Sequence, residues 1–197
     1  MQKSANRQTR LQIPKTAMKY ILTALFLTLL LSAQAQVKVS DDTLHWNVNT
    51  PLQWSDFKGE PTKGKVLQGQ ILCMNLGGFQ RRSAHHQIQF KIVSMFDRLN
   101  SWMPEEKRTD VGLSYFQVMF NIHEVHARIM RQAYALSRSG KNPDAEFQEK
   151  YSTSAIDRSA ELNVFKRETK MGLDSTALGT WRMKVDKELM VLDAYKK

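Results

Sequence analysis

The chain has few of the residues that staple small exported proteins or mark common catalytic sites. Of its 197 residues only Cys73 is a cysteine, so an internal disulfide and a zinc site built from cysteines are both excluded. Cys73 lies in an apolar stretch, and we interpret it as a small buried hydrophobic residue. The sequence contains no glycine-rich phosphate loop and no G-x-S-x-G nucleophile motif. Nucleotide-dependent and serine-hydrolase chemistry therefore have no signal in this sequence.

Long hydrophobic runs are also missing. The uncharged apolar stretch at residues 20–31 is shorter than the roughly 20 residues that a membrane-spanning helix needs. Lys19 precedes it, and an A-x-A pattern of small residues follows it, an order typical of a signal peptide. We predict that residues 1–35 are a signal peptide and that the mature protein begins at Gln36. Met18 is an alternative start. The expected location is the periplasm or the exterior, with no membrane span after cleavage.

The excess of positive charge is concentrated in that first segment. The full chain has a net charge of +10, and five of its 29 basic residues but none of its 19 acidic residues lie in residues 1–35. Residues 36–197 therefore carry a net charge of only +5, which does not indicate nucleic-acid binding. This remainder is long enough for a single domain with its own core.

Short segments of alternating polarity dominate the first half of the mature chain and predict strands. These segments are residues 43–48, 52–57, 66–76 and 87–96. Gly77 and Gly78, with the polar stretch 80–86, lie between the last two segments, where a hairpin needs its turn. We interpret the basic tip of this hairpin as a solvated loop, with an anionic ligand or envelope surface as the alternative.

The second half of the chain has helical periodicity. The first helix is predicted from near Thr109 to before Gly140, with apolar positions on more than one face, so we expect it to be long and buried. The second has Asn142 as its N-cap and stops at Gly172, and the third begins near Ser175. Strands followed by helices predict an α+β fold: a small, mostly antiparallel sheet followed by three helices.

Four segments carry a pattern in a fixed order: residues 46–61, 88–102, 113–128 and 168–181. The first reads W-x(5)-L-x-W-x-D-F-x-G-x-P, the second is a strand leading to a Ser-Trp pair, and the third reads LSYFQVMFNIHEVHAR. The fourth reads ETKMGLD and is followed by a tryptophan. Together they resemble a bacterial family of predicted secreted zinc-dependent proteases, long classed as a domain of unknown function. The resemblance covers almost the whole mature chain.

The resemblance implies a metal site that this chain has lost. In the family, H-E-x-x-H on the long helix supplies two zinc ligands and a general base. The matching positions here are Tyr115, Phe116 and Met119, and Met171 stands where a third histidine would be. These large, mostly apolar side chains would fill the former site, so we expect Tyr115, Met119 and Met171 to contact one another.

The expected role follows from that loss. The resemblance implies a non-catalytic protein with no catalytic residue, no cofactor and no metal at these vestigial positions. Such a protein would act as a binding or structural component of the cell envelope. Its partner would be an unidentified protein or peptide, and we expect no nucleic-acid partner.

Two alternatives retain a metal. The first is a metal-dependent peptidase rebuilt around His123 and His126, which lie three residues apart, with His45 or the pair His85-His86 as a further ligand source. The second is a periplasmic metal-binding protein, because Met119, Met171 and His126 together would suit Cu(I). Against both stands the simpler interpretation that these are hydrogen-bonded histidines and core methionines.

Overall fold

The sheet and the three helices follow one another as the sequence predicted. The structure is a computed structural model that describes residues 42–60, 72–80 and 89–197, so the predicted signal peptide and cleavage site lie outside the described residues. The strands are β1 Thr43–His45, β2 Cys73–Gln80 and β3 Gln89–Asp97. The helices are α1 Asp110–Ser137, α2 Pro143–Glu168 and α3 Ser175–Val191. The predicted α+β fold is confirmed.

The middle strand of the antiparallel sheet is β3, in the order β1-β3-β2. It pairs with β2 from Phe96 opposite Cys73 to Gln89 opposite Gln80. Ser94, Met95 and Phe96 are all buried, because β3 has a neighbour at each edge and packs against α1 on one face. The sheet therefore supplies one wall of the core around α1.

The segment 52–57, which we predicted as a strand, instead forms a 3-10 turn at Trp54–Asp56. A carboxylate oxygen of Asp56 accepts the backbone N–H of Gln53 at 2.8 Å, and the N–H of Leu52 goes to the side chain of Gln117. The strand prediction was wrong here because polar side chains take the backbone bonds that a neighbouring strand would need. Strand β1 likewise ends at His45 and does not reach residue 48 as predicted. It is followed by a turn in which Oδ1 of Asn47 accepts the backbone N–H of Asn49.

Gly77 and Gly78, predicted at the hairpin turn, lie within β2, opposite Ile92 and Lys91. A Cβ at Gly77 would lie 3.4 Å from atoms of both of those residues, which is an ordinary van der Waals distance. Most of the predicted tip belongs to residues 81–88, which lie outside the described residues.

Helix α1 is the centre of the fold, as predicted. Thr109 caps it by accepting the N–H of Gly112 at 3.0 Å, and residues 118–128 are all buried. The sheet, α2 and α3 all pack against it. A helix covered on this many sides needs an apolar surface wider than one stripe, which is the pattern that its sequence shows.

The other two helices are joined by a corner of left-handed backbone. Helix α2 begins after Asn142, whose side chain makes no capping bond. After its last residue the chain passes through Lys170, Met171 and Gly172 with φ of 50°, 59° and 89°. Asp174 then caps α3 by accepting the N–H of Ala177. In the described part of the chain, no helix has an apolar stretch long enough to cross a bilayer.

Candidate functional site

Tyr115, one of the positions that the resemblance assigns to a metal site, lies where α1 meets α2. The buried ring of Tyr115 stacks on Phe165 of α2, with centroids 4.9 Å apart and an angle of 15° between the planes. Its hydroxyl donates to the sulfur of Met171 at 3.6 Å. The predicted contact between Tyr115 and Met171 is confirmed, across 56 residues of sequence.

Met171 covers Tyr115 from outside. It is 66% exposed, whereas Met119, one helical turn beyond Tyr115 on α1, is buried in the main core cluster. Phe116 packs its ring against Trp54, Phe57 and Tyr115. The side chains at these positions are therefore aromatic rings and thioethers. None of them is an imidazole or a carboxylate, the groups that zinc prefers besides thiolates.

Further along the same side of α1, the surroundings become polar. Nε2 of His126 lies 2.8 Å from a carboxylate oxygen of Glu161 on α2, and Lys184 of α3 bonds the other oxygen. The hydrogen bond from His126, with Lys184, lowers the pKa of Glu161 to about 2. Nε2 of His126, which a rebuilt metal site would use as a ligand, is thus already hydrogen-bonded to the carboxylate of Glu161.

His123 is buried to about the same extent as His126, but fewer of its ring nitrogens have a hydrogen-bond partner. It is 6% exposed, and its Nδ1 has no hydrogen-bond partner in the described structure. Burial, with the positive charges of Arg158, His126 and Lys166, lowers the pKa of His123 to about 3. His123 is therefore a neutral imidazole at neutral pH.

The predicted sources of a third ligand are exposed or lie outside the described residues. His45 is an exposed residue of β1, and His85-His86 fall outside the described residues. Within the described ranges, no group of three or more His, Cys, Asp or Glu side chains is placed to hold a metal. Cys73 is a partly buried free thiol, and burial raises its pKa, in line with an unreactive cysteine.

We call the side of α1 formed by these residues the α2 face: Tyr115, Met119, His123 and His126. Residues roughly 180° away around the helix form a second surface, the network face: Gln117, Asn121, Glu124 and Arg128. Side chains and backbone carbonyls from distant parts of the chain bond to this second surface. Sequence analysis did not single it out as a site.

Glu124 and Arg128 anchor one half of the network face. Both carboxylate oxygens of Glu124 are bonded, Oε1 by Arg128 and Arg131 at 3.0 Å each and Oε2 by Arg131 at 3.3 Å. Arg128 also donates to the carbonyl of Leu189, and Arg131 to that of Tyr195. The carboxylate of Glu124 is thus fully engaged.

Gln117 and Asn121 form the other half. Oε1 of Gln117 accepts the N–H of Leu52 at 2.7 Å, and its Nε2 donates to Oδ1 of Asn121 at 2.8 Å. Nε1 of Trp46 donates to the same oxygen at 2.9 Å. The partners lie 65 and 75 residues away, which is why sequence analysis missed this site. Two amides four residues apart on a buried helix were the available signal.

A cavity of about 400 Å³ opens beside these amides, between the chain around Trp46–Leu52, the start of α1, and α3. Such a volume falls in the usual range for small-ligand sites.

Comparison with protein-family models, with curated proteins and with solved structures gives no match. The likeness to a zinc-protease family therefore rests on the four sequence segments alone.

Proposed function

We propose that this protein is an exported, non-catalytic member of the zinc-protease-like family that it resembles. Its role would be that of a binding or structural protein in the cell envelope. The observation that carries this proposal is the packing of Tyr115 between Phe165 and Met171, at positions that the resemblance assigns to metal ligands.

The chemistry of the remaining residues supports the same proposal. Peptide hydrolysis by a zinc protease needs a metal that acidifies water and a carboxylate that takes its proton. Phe116 cannot accept a proton. Glu124 binds two arginines and lies about 80° around the helix from Phe116, at 100° per residue. These residues provide no general base beside Tyr115.

Metal analysis and a peptidase assay of the purified protein test the proposal. We expect neither bound metal nor hydrolysis of peptides, with or without added zinc. Stoichiometric zinc, with chelator-sensitive proteolysis that His123→Ala or His126→Ala abolishes, would overturn the proposal and favour the rebuilt peptidase site. Stoichiometric copper would favour the metal-binding alternative.

A restored variant tests the alignment behind the proposal. The four changes Tyr115→His, Phe116→Glu, Met119→His and Met171→His should together create zinc binding, measured by calorimetry. A matched variant that keeps Phe116 should bind zinc equally, because the glutamate at that position serves as base and not as ligand. A folded restored variant that binds no zinc would show that these positions were never one site.

A further inference from the structure

The corner between α2 and α3 holds the backbone of Met171 in a fixed place. The N–H of Met171 donates to the carbonyl of Lys166 at 2.9 Å, and its φ of 59° lies in the left-handed region. The next residue, Gly172, lies so close to Tyr115 that an added Cβ would come within 3.0 Å of the ring. These backbone bonds and this close packing therefore position the Met171 side chain beside Tyr115.

The sulfur of Met171 has two different sides. On the inner side, the hydroxyl of Tyr115, a residue that is 5% exposed, donates to the sulfur at 3.6 Å. Burial raises the pKa of Tyr115 to about 12, so the hydroxyl keeps its proton and remains a donor at neutral pH. On the outer side, Met171 is exposed to solvent. A small solute would therefore approach the sulfur from the side away from Tyr115.

A thioether sulfur reacts with peroxides through its lone pairs. With hydrogen peroxide, an S–O bond forms from a sulfur lone pair and the O–O bond breaks. The departing hydroxide takes up the proton of the transferred hydroxyl and becomes water, so the sulfur loses two electrons and the peroxide gains them. The product, methionine sulfoxide, is chiral at sulfur, and each of its two epimers has its own reductase. A sulfur with one lone pair bonded and the other facing solvent should therefore give the two epimers in unequal amounts.

We propose that Met171 is a site of reversible oxidation by peroxides, at which the Tyr115 hydroxyl directs the oxygen to the outer lone pair of the sulfur and so mainly to one sulfoxide epimer. Attack on the inner lone pair must first break the bond from Tyr115, which slows it about fivefold, the factor that one net hydrogen bond is worth. One class of methionine sulfoxide reductase, the one that accepts that epimer, would then restore the site. This chemistry needs no metal and no catalytic residue, so the inference goes beyond the proposed function and does not depend on it.

The chain contains its own control for this reaction. Met190 is 77% exposed near the end of α3, and its sulfur has no hydrogen-bond partner in the described part of the chain. Trypsin releases residues 171–182 and 188–196, each with one methionine, so mass spectrometry follows the two sites separately. Met119 and Met130 are buried, so their oxidation would report that the protein unfolds during the reaction.

Treatment of the purified protein with hydrogen peroxide tests the proposal, with EDTA present to suppress metal-catalysed oxidation. The digest is divided between the two epimer-specific reductases, and the sulfoxide that each leaves behind is measured. We expect Met171 and Met190 to be oxidised well before Met119 and Met130. The epimer ratio should be about 5:1 at Met171 and about 1:1 at Met190. Equal epimers at Met171, or no oxidation there before the buried methionines react, would overturn the proposal.

Tyr115→Phe separates the hydroxyl from the shape of the corner, because it removes the donor and keeps the ring that stacks on Phe165. We expect the epimer ratio at Met171 to fall to about that of Met190. Tyr195→Phe, the same change at a partly buried position near the C-terminus, is the matched control and should keep the wild-type ratio. An unchanged ratio in folded Tyr115→Phe would refute the role of the hydroxyl. If that variant does not fold, the ratio in the wild type still decides the proposal.

Discussion

The two faces of α1 differ in how completely their polar groups are bonded. On the network face, Glu124 and Gln117 have every side-chain oxygen occupied by a donor from elsewhere in the chain. On the α2 face, packing replaces bonding around Tyr115, and Nδ1 of His123 is buried without a described partner. A bonded surface specifies one arrangement of its neighbours, whereas a packed one tolerates exchange of side chains of similar volume. The contrast predicts that substitutions on the network face destabilise the fold more than substitutions on the α2 face.

The largest expected effect comes from breaking the network face. Glu124→Ala would remove the buried carboxylate from Arg128, whose side chain is 2% exposed, and leave only the exposed carboxylate of Asp193 at 3.6 Å. We expect a loss of about 3–5 kcal/mol in the free energy of unfolding, as for other broken buried pairs, measured by urea denaturation. Glu149→Ala, at an exposed position of α2, should change it by less than about 0.5 kcal/mol. Similar effects of the two variants would mean that the network is not the stronger face.

On the α2 face, the next effect depends on pH. The folded chain keeps His123 neutral because its pKa is lowered to about 3, whereas the unfolded chain takes up a proton near 6.5. Stability contributed by the neutral imidazole is therefore present above pH 6.5 and is lost progressively as pH falls towards 3. Between pH 6.5 and 4.5 the loss should approach about 1.4 kcal/mol per unit.

Glu161 affects stability in a lower pH range, which overlaps that of His123 only below pH 4.5. Its pKa falls from 4.5 to about 2 on folding, so its stabilisation is lost only as pH drops through that lower range. His123→Gln should therefore flatten the stability profile between pH 6.5 and 4.5 and leave the acid limb below it, measured by urea denaturation at each pH. A profile of His123→Gln parallel to that of the wild type would show that the imidazole titrates normally.

A smaller effect is expected at the corner that supports Tyr115. Gly172 has φ of 89°, and a Cβ there would come within 3.0 Å of the Tyr115 ring. Gly172→Ala should cost about 1–2 kcal/mol, the usual penalty for left-handed backbone in other residues. Gly179→Ala in α3, where an added Cβ meets nothing within 4 Å, should stabilise the protein slightly. The two variants are compared by thermal unfolding. An unchanged stability of Gly172→Ala would show that the backbone at this corner adjusts without strain.

The smallest effect is expected from Tyr115→Phe. The change keeps the stack on Phe165 and removes only the hydroxyl bond to the Met171 sulfur, which is a weak acceptor. We expect less than about 1 kcal/mol in urea denaturation. Tyr115→Leu, which removes the ring, is the matched comparison and should cost more. A large loss in Tyr115→Phe would make the hydroxyl, and not the ring packing, the important element of this face.

Sequence analysis predicted the features that depend on hydrophobic periodicity and on capping residues. Helix α1 and its start at Thr109 were predicted correctly, because they depend on residues close in the chain. The second helix was predicted to stop at Gly172 but ends at Glu168, and Gly172 lies in the left-handed corner that follows. The turn at Trp54–Asp56 was not predicted, because its apolar alternation imitates a strand while Asp56 bonds the backbone locally. The approach of Met171 to Tyr115 was predicted only through the family resemblance. The amides at Gln117 and Asn121 were missed, since nothing local shows that Leu52 and Trp46 meet them.

Arg131, which binds Glu124 of the network face, also connects parts of the chain that are made at different times. Arg131 donates to the carbonyl of Ile92, 39 residues earlier, and to that of Tyr195, 64 residues later. A nascent chain that has not yet reached Tyr195 carries the buried charges of α1 without their last acceptor. Arg131 therefore gains its full set of acceptors only after α3 has been made, whereas Glu124 and the Ile92 carbonyl are present from the start of that process.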